Sequence, residues 1–330
     1  MLLTVTPNPC IERTVVISDF AVGASHRVAP QNLYLNAGGK GINAARVANQ
    51  FEIETLALTW IGSNQRAWFE NQLQRENVSA ELVETASDTR VCFNVLDGRG
   101  AKTEIVEAGH WLEISDGTRL LEKYARILPR FSLVAICGSY PPDNPQNAEA
   151  FSLHLALLCR MAREAGVRVL LDSKGAPFHL ALNDARERKA RVWCIKPNIS
   201  EAEEFLRRPL LSRDSEIGAL NELLNFAEIV LLSCGERGCY FARRDSTKRV
   251  LKRDTIYFLH APEVSEISSV GSGDALVGAF AAKVLQDEDE LSALRWGVAA
   301  GAANAMQTQA GFCTQENIAA LLEEVQIERL

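Results

Sequence analysis

The residues best placed for chemistry in this chain are Val270-Gly271-Ser272-Gly273-Asp274, which lead into the apolar, helix-patterned run Ala275-Leu276-Val277. A helix that starts on such a turn leaves backbone N–H groups unpaired at the positive end of its dipole, which makes a site for an anion. An aspartate beside a bound anion is repelled by it, so its presence there needs a use. Taking a proton from a hydroxyl while phosphate charge shifts nearby is such a use, with Asp274 as base and the N–H groups of Gly271, Ser272 and Gly273 facing the charge. The competing reading is a helix-capping aspartate in an ordinary glycine turn.

Elements that would position these residues follow from hydrophobic period. Leu2 to Thr6 reads as a buried strand ended by Pro7-Asn8-Pro9; residues 14–18 and 31–36 read as further strands. Gly38-Gly39-Lys40-Gly41 precedes an apolar helical face at Ile42, Ala45, Val47 and Ala48. A strand at 55–61 and a helix at 65–76 come next, then strands 91–96 and 103–107 around Asp97-Gly98-Arg99-Gly100, a hairpin signal. Helix and strand then alternate: helices 115–128, 146–165, 199–207 and 215–226, with strands 132–137, 167–172, 192–195 and 228–232. A β-rich segment at 238–261 precedes helices at 274–286, 289–306 and 314–325. This alternation predicts one α/β domain over residues 1–330, a doubly wound and mostly parallel sheet flanked by helices. The early strands, within 10–37 and 88–108, predict a small separate β-sheet that covers the site as a lid. In an open parallel sheet ligands bind beyond the C-terminal strand ends, and polar or glycine clusters recur there, for example Gly138-Ser139, Lys196-Pro197-Asn198 and Ser233-Cys234-Gly235.

Bulk properties narrow the choice. A formal charge of −7 argues against a broad nucleic-acid surface, and the basic clusters Arg186 to Arg191 and Lys248 to Arg253 read as solvated faces. Eight scattered cysteines without a Cys-x-x-Cys pair predict buried free thiols rather than a disulfide framework or zinc site. No apolar run is long enough to span a bilayer and the first residues lack a charged leader pattern, so a cytoplasmic protein without membrane partners is expected. Neither a Walker A loop nor a first-strand Gly-x-Gly-x-x-Gly occurs.

Taken together, Ala37-Gly38-Gly39-Lys40-Gly41-Ile42-Asn43, Thr89-Arg90, Gly138-Ser139-Tyr140-Pro141-Pro142, Lys196-Pro197-Asn198-Ile199-Ser200-Glu201, Ser233-Cys234-Gly235 and Val270 to Asp274 form an ordered set. In that order and nearly end to end, the sequence resembles the PfkB carbohydrate kinases, which have the ribokinase-like fold. Thr6-Pro7-Asn8-Pro9 and the Gly-Gly-Lys-Gly form look most like the branch acting on phosphorylated ketohexoses, which includes 1-phosphofructokinase and tagatose-6-phosphate kinase. The resemblance implies transfer of the γ-phosphoryl group of ATP to a sugar-phosphate hydroxyl, with Asp274 as base and Mg²⁺ as cofactor. It implies Gly38, Gly39 and Asn43 in the sugar pocket, and Lys40, Arg90 and Ser139 at the phosphate already on the substrate, against salt bridges as the plain alternative for Lys40 and Arg90. Arg27 is a further candidate, balanced by chance. Asn198 and Glu201 would organise Mg²⁺ and its waters, or Glu201 would be a first-turn helix acid. Ser233 and Gly235 would touch the ATP phosphates, as would Lys196 against simple pairing with an acid, and Asn304 would meet the adenine pocket against a core amide that caps or bridges helices. A homodimer through the lid is also implied.

Departures from the family pattern concentrate on sugar recognition. Glu12 stands where an aspartate usually holds sugar hydroxyls, Ser268-Ser269 replaces an acid or amide plus threonine, and Glu107-Ala108-Gly109-His110 lacks two prolines. Two alternatives stay open on sequence: a kinase of an unphosphorylated sugar or nucleoside, and a non-catalytic sugar- or nucleotide-binding regulator.

Overall fold

The computed structural model describes residues 1–98, 100–144, 151–244 and 255–330. In chain order it runs β1 (Leu2–Thr6), β2 (Cys10–Ile17), β3 (Leu33–Gly38), α1 (Lys40–Asn49), β4 (Thr55–Gly62), α2 (Arg66–Arg75), β5 (Ala80–Thr85), β6 (Arg90–Asp97), β7 (Lys102–Val106) and α3 (Ile114–Ile127). Next come β8 (Leu133–Cys137), α4 (His154–Glu164), β9 (Arg168–Asp172), α5 (Gly175–Glu187), β10 (Val192–Ile195), α6 (Ile199–Leu206) and α7 (Arg213–Leu223). The chain closes with β11 (Ala227–Ser233), β12 (Gly238–Arg243), β13 (Thr255–His260), α8 (Ser272–Leu285), α9 (Glu290–Ala305), α10 (Gln315–Leu322) and β14 (Gln326–Arg329).

The large sheet has the order β14-β13-β12-β11-β10-β9-β8-β1-β4-β5, parallel from β11 to β5 and antiparallel beyond. Its central strands are apolar on both faces because helices cover both. Leu133, Ala135 and Cys137 of β8 meet the cluster built with α1, α8 and α9, whereas Val134 and Ile136 meet the one built with α3 to α5. This is the doubly wound α/β architecture expected from sequence. Four further strands form the separate small sheet, ordered β3-β2-β6-β7, with β2 parallel to β6. Alternate residues Cys10, Glu12 and Thr14 of β2 and Cys92, Asn94 and Leu96 of β6 are buried, and all of β7 is exposed.

Three elements were not expected: β5, α5 and β14. The expected helix at 146–165 is seen as His154–Glu164, its start lying partly outside the described residues. Much of the 238–261 segment, and the Lys248 to Arg253 cluster within it, also lies outside them. All eight cysteines are free and buried. Among the described residues no helix is long and apolar enough to cross a membrane.

Candidate active site

Gly271 adopts φ 82°, a left-handed conformation suited to glycine, and α8 begins at the next residue. A side chain at 271 would also collide with Ala310. The Ser272 N–H donates to the Ser269 carbonyl (3.1 Å) and the Asp274 N–H to that of Gly271 (3.0 Å). The Gly271 and Gly273 N–H groups have no acceptor among the described residues. Of the three N–H groups expected for the anion, two are therefore available, and that of Ser272 closes the turn instead. Lys196 Nζ stands 3.4 Å from where a β-carbon of Gly273 would be, so an ammonium faces the same spot.

Asp274 projects from the first turn of α8 and is only 6% exposed. Asn43 of α1 donates from Nδ2 to its Oδ2 (2.9 Å). Asn43 Oδ1 in turn accepts from Arg46 Nη1 (2.9 Å), and Arg46 is anchored on the Ala37 and Ala310 carbonyls and on Glu76. The amide expected to bind sugar hydroxyls is thus spoken for on one donor and its acceptor, and it orients the carboxylate. Burial pushes the Asp274 carboxyl up to about 6; Lys40, Lys196 and the Asn43 bond pull against this, and Asp172 adds repulsion.

Asp172, at the end of β9, joins this cluster although it is not among the site residues expected from sequence. It is wholly buried, its Oδ1 accepts from Lys40 Nζ (3.2 Å) and Lys196 Nζ (3.3 Å), and its Oδ2 has no partner. The available signal was an acid terminating an apolar strand. Burial raises its pKa and the two lysines more than reverse this, so the carboxyl is held below its ordinary value. Lys40 shows the converse: burial lowers it, but Asp172, Asp274 and Glu201 together hold the ammonium above its ordinary range. Its side chain keeps 36% exposure and lies 3.8 Å from Glu201 Oε1. Lys40 thus serves the carboxylate cluster, the salt-bridge alternative weighed above.

The Asn-x-x-Glu pattern is a reciprocal cap on α6. Asn198 Oδ1 accepts from the Glu201 N–H (2.8 Å) and Ser200 Oγ (2.7 Å), while Glu201 Oε2 accepts from the Asn198 N–H (3.0 Å). Asn198 therefore has an occupied oxygen, whereas Glu201 keeps Oε1 toward the cluster. Together with the unpartnered Asp172 Oδ2, this oxygen suits Mg²⁺, which takes few protein carboxylates and completes its shell with phosphate and water. Ser233 at the end of β11 is bonded through its N–H and Oγ to the Pro197 carbonyl, and open space lies over Gly235.

Asn304 closes against the glycine turn before α8. It is 0% exposed, donates to the Val270 carbonyl (2.9 Å) and Ser272 Oγ (3.3 Å), and accepts from the Gly311 N–H (2.7 Å). A side chain so enclosed braces the glycine turn against the 310–311 segment.

On the small-sheet side, Glu12 is buried, accepts from Asn94 Nδ2 (2.9 Å), and is pushed up to about 7 chiefly by that burial. Gly38 packs against Cys10 and Glu12, and Gly39, at φ 124°, against Thr6 and Pro9. These glycines let the chain approach itself. Arg90 donates to the carbonyls of Pro9 (3.3 Å), Glu107 (3.0 Å) and Asn8 (2.9 Å), which leaves two of its five N–H donors. Ser139 is half-buried beside Gly138, and Arg27 is exposed without an ion pair among the described residues.

A buried, high-pKa carboxylate beside unpaired amides and an ammonium can accept a proton next to a phosphoryl group. A family model described as pfkB family carbohydrate kinase matches residues 8–317. The chain belongs to that family. Among solved structures, phosphofructokinase-2 from Escherichia coli in complex with potassium is 25% identical, with 98% of each chain covered and a TM-score of 0.83. Its tetrameric inhibited form gives 25%, 98% of each chain and 0.80. A possible 1-phosphofructokinase from Thermotoga maritima is 21% identical, covering 100% of this chain and 99% of its own, at a TM-score of 0.86. The ribokinase-like fold expected from sequence is therefore shared with these structures.

Proposed function

We propose that this carbohydrate kinase phosphorylates a ketohexose that already carries a phosphate (fructose 1-phosphate, tagatose 6-phosphate or fructose 6-phosphate), using ATP, with Asp274 as base. The observation that carries this reading is the Asp274 carboxylate, buried at the start of α8 among the free Gly271 and Gly273 N–H groups and Lys196. With a carboxyl titrating at about 6, the group is ionised at neutral pH yet basic enough to take a hydroxyl proton as the oxygen attacks phosphorus. The two amides and Lys196 stabilise charge on the transferring phosphoryl oxygens. Arg46, through Asn43, keeps the base in one orientation. Mg²⁺, held by Glu201 and Asp172, would neutralise triphosphate charge. The small sheet closes over the acceptor with Glu12 toward its hydroxyls, and excludes water. Its outer face, where Phe93 and the 58% exposed Ile105 stand opposite each other, serves a homodimer.

ADP release measured across fructose 1-phosphate, fructose 6-phosphate, tagatose 6-phosphate, fructose and ribose tests the proposal. A phosphorylated ketohexose is expected to exceed fructose and ribose by at least about 100-fold in kcat/KM, the value of a bidentate charged contact. Preference for a neutral sugar would move the chain to another kinase of the family. Tight sugar binding with no turnover on any would make it a regulator.

A further inference from the structure

At the opposite, N-terminal ends of β9 and β10 lies a cavity of about 240 Å³ with no part in the site above. Four arginines border it: Arg160 and Arg163 from the last turns of α4, Arg168 opening β9, and Arg191 just before β10, against the two acids Asp184 and Glu228. Asp184 is already taken, accepting from Arg160 Nε (3.0 Å) and Arg188 Nε (3.1 Å). Arg168 lies 5.0 Å over the Trp193 ring, and that ring is stacked on Phe280. Arg163 and Arg191 make no ion pair among the described residues, in contrast to Arg160, which is paired with Asp184. Three arginines not held by a carboxylate therefore surround one concavity on a protein of formal charge −7. Val169, Ala181 and Trp193 also line it.

We propose that this cavity is a second ligand site, separate from the active site, for a small molecule bearing two or more phosphate or carboxylate groups. Guanidinium forks grip such groups in pairs, and one singly charged anion would leave two of the three forks unused. The volume suits a diphosphate or a phosphorylated acid and is small for a nucleotide. Arg191, the last residue of the Arg186 to Arg191 cluster, also borders a wider hollow lined by Arg186 and Arg207.

Inorganic pyrophosphate is the probe, followed by intrinsic fluorescence, because Trp193 lines the cavity. Saturable quenching is expected in the wild type. It should be retained in Lys196→Ala, which alters the active site, and absent in Trp193→Phe. Arg163→Ala/Arg191→Ala, which leaves kinase activity unchanged, should weaken the apparent Kd at least tenfold, and the single Arg191→Glu, a surface change, should do likewise if the double variant is unstable. Quenching that survives the arginine variants, or that Lys196→Ala removes, overturns the proposal.

Discussion

Replacing Asp274 by Asn removes a proton acceptor and a buried charge together, and the two losses act in opposite directions. The folded-state carboxyl titrates at about 6 against an ordinary 3.8, because burial disfavours its charge more than Lys40 favours it. A pKa raised by folding means that the ionised group lowers stability above pH 6. That penalty fades as pH falls toward 4, where both folded and unfolded states bind the proton. The full difference corresponds to roughly 3 kcal/mol at about 1.4 kcal/mol per pH unit. Relaxation around the charge trims this, so Asp274→Asn should be about 1–3 kcal/mol more stable at pH 8 than the parent, with the gain shrinking toward pH 4. The Asn43 bond survives, since an asparagine oxygen still accepts it. Turnover should fall about 10²–10⁴-fold or more while ATP binding changes little. Urea unfolding across that pH range, together with ADP release and ATP titration, gives all three quantities. A variant less stable than the parent at pH 8, or a difference that does not shrink on acidification, refutes the electrostatic reasoning. Turnover within tenfold of the parent removes Asp274 as base.

The acid limb of the kcat/KM profile should fall near pH 6, and Lys40→Met should move it upward because Lys40 is the leading influence lowering the Asp274 pKa; an unmoved or lowered limb contradicts this. Gly278→Ala would place a methyl 3.0 Å from Val47 Cβ and nearer still to the Ala44 carbonyl, prising α8 from the helix that carries Asn43. It should lower stability by about 1–3 kcal/mol and kcat on the order of 100-fold; unfolding and turnover matching the parent would show that the contact is slack. Arg90→Ala should raise KM for the sugar phosphate at least about tenfold and leave that for ATP nearly unchanged; equal rises place Arg90 in loop bracing alone. Removal of divalent cations with a chelator should weaken ATP binding at least about tenfold by calorimetry, and equal affinity without them would detach Asp172 and Glu201 from metal binding.

How far the sequence carried depended on whether a feature is local. The glycine turn before α8 and the alternating apolar runs were legible because their pattern lies within a few residues. β5 and β14 were not, because sheet-edge strands are partly exposed and mix acids with apolar residues, as Ala80-Glu81-Leu82 and Gln326-Ile327-Glu328 do. Helix α5 was hidden by Gly175 and Pro177, which read as loop but are tolerated in a first turn. Site residues divide similarly. The bond between Asn43 and Asp274 joins positions 231 apart, and no local period encodes it. Asn304 shows the same limit, since an amide near a glycine turn looks alike in sequence whether it meets ligand or backbone.

Lys40, Lys196, Asp172, Asp274 and Glu201 place two ammonium groups among three carboxylates, so this cluster is net anionic. A triphosphate arriving there adds like charge, which the two free amides alone cannot offset. Lys40 and Arg90 each have protein partners for their donors, so they serve first to hold Asp172, Glu201 and the 8–9 segment in place. On the proposed reading, recognition of an acceptor phosphate would then fall to the two spare Arg90 donors, Ser139 and the exposed Arg27. The catalytic half of the site is held by bonds within the protein, and the acceptor half depends on fewer, looser groups, the half in which Glu12 also departs from the family pattern.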